Sequence, residues 1–184
     1  AEAIDEAEVR PAAVRGEVLG HAYSRAEIWA RSAEEFLRAA SFAVKADERG
    51  QAMGHITMAQ ASAARIDDLK TRSHWMGHAR MIEGDVQKAA GQLDISRRIY
   101  RELLGLCRQT GDQRLLGETL HDLGDLYYIT RRYHKGIRAE RRALRIWNSL
   151  DDREQISRSL NSLGNLHRLV DDYTYGNSDM PLVL

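Results

Sequence analysis

The sequence predicts an all-α protein, an α-solenoid of antiparallel helical hairpins with about eight helices, on three observations. One pattern occurs twice at a spacing of forty residues: Leu116, Leu120, Leu123, Gly124, Leu126 and Tyr133 answer to Ile156, Leu160, Leu163, Gly164, Leu166 and Tyr173. Self-similarity at such a period marks units too small to bury an apolar face without a neighbour. The only two prolines, Pro11 and Pro181, stand near the ends, so nothing between them is barred from helix. No alternating β-branched run competes with that reading.

The chain has 184 residues, 43% hydrophobic and 29% charged, which is enough to bury one continuous core. A single domain over 1–184 is therefore expected, with irregular hairpins over 12–70, regular repeats over 71–173 and a non-helical tail over 174–184. Twenty-seven basic residues balance twenty-seven acidic ones, which removes the simplest argument for a nucleic-acid or anionic-membrane partner. The single Cys107 excludes an internal disulfide, fits a reducing compartment, and reads as a buried thiol beside Leu103 and Leu104. No apolar run approaches a membrane span and no signal peptide opens the chain, so a cytoplasmic protein is expected. Only four of the basic residues are lysines, a bias common in GC-rich bacterial genomes. The acidic opening, Ala1 to Glu8, without an initiator Met is expected of a piece of something longer.

Taken in order, Ala12 to Lys45 reads as two helices, with Val18, Leu19 and Tyr23 on the first and Trp29, Phe36, Ala40 and Val44 on the second. Met53-Gly54 follows Leu19-Gly20 after thirty-four residues, yet Met76-Gly77 comes only twenty-three later, too short for a hairpin. Either one of these glycines is accidental or Arg49 to Leu69 forms one long helix. Gly84-Asp85 is expected to turn, with a long helix from Val86 to Cys107, and Gly111-Asp112 ends that hairpin. A second pair runs from Arg114 to Leu150, and Asp151 with Glu154 reads as a helix N-cap. After Tyr173 the pattern stops at Gly176, Asn177, Ser178 and Pro181. Leu163, Leu166 and Val170 are then left without a cover, so the tail Met180 to Leu184, a second copy or a further domain is expected over them.

The run Leu120-x-x-Leu123-Gly124-x-x-Tyr127, followed by Tyr133 and Ala143-Leu144, resembles the tetratricopeptide repeat. Gly136 and Ala143 supply its small residues. Leu120 stands where the family often has Trp, Asn148 replaces its closing Pro, and forty residues exceed its usual length. These departures resemble the longer-repeat members, among them kinesin light chain, G-protein-regulator scaffolds and the sensor domains of bacterial regulators. The resemblance implies a concave groove that binds a peptide or protein segment.

Polar pairs spaced i,i+4 flank each candidate glycine: Glu17/His21, Gln51/His55, His74/His78, His121/Asp125 and Asn161/Asn165. The resemblance places this row on the groove. Expected ligand contacts are His55, His74, His78, His121, Asp125, Asn161 and Asn165, with Arg158 and Arg168 near by helical spacing. Asn165 and Asn161 can donate and accept to a peptide backbone at once, and the arginines can hold a carboxylate. No cofactor is expected. The alternative is a metal- or small-molecule-binding domain, possibly enzymatic, in which His74 and His78 share an ion and His55, His121 or Asp125 adds a ligand. No Gly-x-Ser-x-Gly elbow, phosphate loop or dinucleotide fingerprint supports an enzyme. The stripe Arg131, Lys135, Arg138, Arg142 and Arg145 reads as a solvated outer face opposite Ile137, Leu144 and Trp147, with Glu140 neutralising part of it. A homo-oligomer through the uncovered C-terminal face is a further expectation.

Overall fold

The computed structural model describes residues 6–25 and 27–176, and the side chains of 12–25 and 27–171. The fold is all-α, as the sequence predicts. Among the described residues eight helices follow one another: α1 (Glu6–Arg25), α2 (Trp29–Lys45), α3 (Arg49–Ala63), α4 (Leu69–Ala89), α5 (Leu93–Thr110), α6 (Gln113–Ile129), α7 (Tyr133–Ser149) and α8 (Arg153–Gly176). The chain divides into two compact units, Ala1–Leu115 and Leu116–Leu184, the division falling within α6.

The forty-residue period is set by the turns. Gly91, Gly111, Arg131 and Asp151 all take positive φ, between 50° and 74°, and stand twenty residues apart. One helix plus one turn therefore consumes twenty residues, and a hairpin forty. Glycine takes this conformation without a Cβ penalty, whereas Arg131 and Asp151 adopt it at some steric cost. Side-chain caps recur at the same interval. Asp112 Oδ1 accepts from the Leu115 N–H at 3.0 Å at the start of α6, and Asp152 Oδ1 accepts from the Gln155 N–H at 3.2 Å at the start of α8. The cap of α8 is thus Asp152 rather than Asp151, because Asp151 is occupied in making the left-handed turn.

Three hairpins close on one contact. A Cβ on Gly20 would lie 2.8 Å from the Phe36 ring, one on Gly84 2.5 Å from the Tyr100 ring, and one on Gly124 2.5 Å from the Glu140 carboxylate. In each case the partner is sixteen residues further on, across an antiparallel turn. Gly84 is therefore buried inside α4 and does not turn, and the turn falls at Gly91. Gly84, Gly124 and Gly164 share the forty-residue register, whereas Gly77 stands seven residues ahead of it, and Gly54 is exposed with open space around it.

The irregular middle is an additional helix. Residues 49–69 do not form one long helix, since α3 ends at Ala63 and α4 starts at Leu69 under an Asp68 cap to the Thr71 N–H at 2.7 Å. Ala52, Ile56 and Ala59 of α3 pack with Phe36, Ala40 and Ala43 of α2 and with Ala79, Ile82 and Val86 of α4. So many alanines let helix backbones approach closely. Along α5, Ile99, Tyr100, Leu103, Leu104 and Cys107 are all buried, the thiol completely.

In the second unit, Leu163 and Leu166 of α8 are only 8% and 2% exposed and pack on Ile137 of α7, with Tyr133, Leu144 and Val170 around them. The uncovered face expected there is a covered one, because these side chains point back onto α7. Self-association through them loses its premise. Helix α8 continues through residues 174–176, and residues 177–184, including Met180 to Leu184, lie outside the described residues.

Glycine to alanine within a helix ordinarily stabilises by about 0.5–1 kcal/mol. Gly54→Ala should do so, while Gly84→Ala, which forces the buried Tyr100 ring to shift, should lower stability by about 1–3 kcal/mol. Urea denaturation of both variants measures the two shifts, and equal effects would remove Gly84 from the hairpin contact.

Candidate functional site

Helix α6 places His121, Gly124 and Asp125 on its side toward α7 because His121 and Asp125 are one turn apart. Gly124 lets α7 approach so closely that Glu140 lies over it. In the other two hairpins the residue at this position is the ring of Phe36 or Tyr100, so α7 replaces an aromatic with a carboxylate. Glu140 is fully buried, and His121 is 4% exposed. Their contact is close: His121 Nδ1 lies 2.9 Å from Glu140 Oε1 and 3.2 Å from Oε2. His121 Nε2 lies 3.7 Å from Asp125 Oδ2. Glu140 does not neutralise the basic stripe, since its side chain points into the helix pair and not toward solvent.

Burial pushes the Glu140 carboxyl above its ordinary range, although His121 and Ser159 pull against it. Burial alone would lower the His121 pKa, but the hydrogen bond and charge of Glu140, with Asp125, outweigh it and raise the value. Both groups are moved upward, and Asp125 is the exposed member of the three.

Asp125 also lines a cavity of about 270 Å³ with Tyr128 of α6 and Ser162, Asn165 and Leu166 of α8. Asp125 and Asn165 follow Gly124 and Gly164 directly, so the forty-residue register brings these two predicted positions to one concavity. Asn161 and Asn165 are exposed, and among the described residues neither makes a hydrogen bond that joins helices. Arg158 and Arg168 are exposed on α8, and the charge of Arg158 reaches His121. Next to this cavity, the rings of Tyr128 and Tyr133 meet edge to face at 6.5 Å. Tyr133 belongs to a larger basin of about 610 Å³ lined by Arg131, Arg132, Lys135, Arg138 and Val170. Elsewhere, surface cations pair with carboxylates three or four residues away, as Arg31 with Glu34 and Arg80 with Glu83. None of the four basin cations has an ion-pair partner among the described residues. That basin was not legible in the stripe pattern, because Arg132 and Val170 fall outside it.

In the first unit the remaining predicted residues separate. His55 is 6% exposed and faces the α2–α4 core with Ala52, Ile56 and Ala59, so it does not line an open groove. His21, which follows Gly20, lines a cavity of about 320 Å³ with Trp29, Phe36 and Arg65. His74 and His78 flank Gly77, outside the hairpin register, and their rings stack edge to face at 4.4 Å. His74 Nδ1 lies 2.6 Å from Asp112 Oδ2, so the carboxylate that caps α6 also holds this imidazole. Burial, with the charge of His74, lowers the His78 pKa to about 4. Burial would raise Asp112, but the Leu115 N–H and His74 hold it below the usual carboxylate range.

Among known proteins, no family model and no curated protein matches the chain. Of the solved structures, 27 chains match. One is the crystal structure of BtubC (BKLC) from P. vanneervenii, similar at a TM-score of 0.72 and 13% identity over 91% of this chain and 67% of that one. At this identity the likeness shows the fold alone. Among the described residues no helix is long and apolar enough to cross a membrane.

Between pH 6.5 and about 4 the unfolded chain protonates at His78 while the folded chain does not. Stability should therefore fall as pH drops through that window, by up to about 1.4 kcal/mol per pH unit from this group. Asp112 adds its loss only below the ordinary carboxylate pKa. Urea midpoints measured from pH 7 to pH 4 should fall less steeply for His78→Gln than for the parent. Parallel curves would remove His78 as the source.

Proposed function

We propose that the chain is a peptide- or protein-segment-binding scaffold of the tetratricopeptide type, the interaction or sensor part of a bacterial regulatory protein. The observation that supports it is the cavity lined by both Asp125 and Asn165, residues that occupy the same place in successive repeats. The exposed side chains there answer an extended ligand, whose backbone N–H and C=O groups lose water on binding. Asn165 donates and accepts at once, Asp125 accepts, and Tyr128 offers a flat apolar ring. The adjoining basin of Arg131, Arg132, Lys135 and Arg138 gives the same ligand a place for negative charge. Arg158 and Arg168 extend that positive field along α8. His121 and Glu140 lie in the interior behind Asp125 and do not touch the peptide.

A peptide selected on the protein from a random display library is the probe. Asn165→Ala should weaken its binding by about 1–3 kcal/mol, read by fluorescence polarisation. The melting temperature should stay within about 2 °C, because an exposed side chain without helix-joining bonds has little to lose. A variant that melts lower by an equivalent amount and binds unchanged makes Asn165 structural and removes the groove.

A further inference from the structure

We infer that His121, Asp125 and Glu140 form a binding site for one first-row divalent cation of the zinc class, between α6 and α7. One nitrogen of His121 and one oxygen from each carboxylate lie within 4.8 Å of one another. Nitrogen and oxygen donors of this kind suit zinc, cobalt or nickel at about 2.0–2.2 Å each. Ligand atoms of a tetrahedral ion stand about 3.3–3.5 Å apart; Asp125 Oδ2 lies 3.7 Å from His121 Nε2 and Glu140 Oε1 lies 2.9 Å from His121 Nδ1, so the imidazole turns to offer one nitrogen to an ion that both carboxylates reach. Asp125 is the exposed member, with its side chain 41% accessible, and rotation about its side-chain bonds adjusts the set.

Charge argues in the same direction. Glu140 is completely buried with His121 and Ser159 as its partners, and among the described residues no arginine or lysine pairs with it. Its position is also not required by packing, since the corresponding places in the other hairpins hold Phe36 and Tyr100. A buried carboxylate put where a ring fits is costly unless something compensates it. Arg158, exposed on α8, is the cation whose field opposes metal entry, and solvent screens it. Asp125 is the one member of the three that lines the neighbouring cavity, so its side of the cluster is the one open to water. His74 and His78 are the competing pair, but His74 is held by Asp112 and no third ligand group of the described residues clusters with them.

Equilibrium dialysis of the full chain against Zn²⁺ and Co²⁺, with bound metal counted by mass spectrometry, tests the site. The expected result is one equivalent, with the intense visible absorption of four-coordinate Co²⁺. Asp125→Asn should weaken binding at least about tenfold. It is the deciding variant because its side chain is half exposed, whereas His121→Asn and Glu140→Gln alter the core and are read only after circular dichroism shows them folded. The double variant His74→Ala/His78→Ala should bind as the parent does. Absence of bound metal in the parent, unchanged affinity in Asp125→Asn, or loss of the metal in the His74/His78 variant instead would each overturn the inference.

Discussion

Two helices that cross at a glycine come closer than any side chain would allow, and the second unit depends on one such contact. With no Cβ on Gly124, α7 settles against the α6 backbone, and the whole of Glu140 is carried into the space between them. That approach fixes the antiparallel register of the pair. It also decides which α6 side chains turn inward, as His121 does, and which reach the open edge, as Asp125 does. The same device recurs at Gly20 and Gly84, where a ring takes the place of the carboxylate. In those hairpins the interior is apolar and the contact is dispersion and area burial. At Gly124 it is electrostatic, and a lower effective dielectric makes both the pairing and any imbalance stronger than at the surface.

Function and packing are therefore interleaved on one helix. His121 and Asp125 differ by a single turn, yet one is 4% exposed and the other lines a cavity. A row of polar residues read along the sequence is in fact two layers, an inner one that satisfies buried charge and an outer one that faces solvent and the cavity. The two layers adjoin at His121, which stands 2.9 Å from Glu140 on one side and 3.7 Å from Asp125 on the other. The basin at Arg131 and its neighbours shows the complementary case. There a left-handed turn at Arg131 and the adjacent start of α7 gather cations with no acid among them.

The α-helical class, the number of helices and the forty-residue period were all legible in the sequence. Each follows from local chemistry: the absence of internal proline, apolar spacing within one helix, and residues that turn or cap at fixed intervals. Because a fixed period carries equivalent positions to equivalent places, Asp125 and Asn165 were also legible as neighbours on one concavity. What only the tertiary structure decided is which glycine meets a partner helix, and hence which residues face inward. Gly77 and Gly84 look alike in sequence and both meet a neighbouring helix, Gly77 at the Leu115 side chain and Gly84 at the Tyr100 ring, and only the latter contact stands in the shared register. Likewise His55 turns into a core of three helices, Leu166 onto α7, and Glu140 under His121. Helical periodicity states that a residue lies on a face. It does not state what stands opposite that face, because the opposing helix is supplied by another part of the chain.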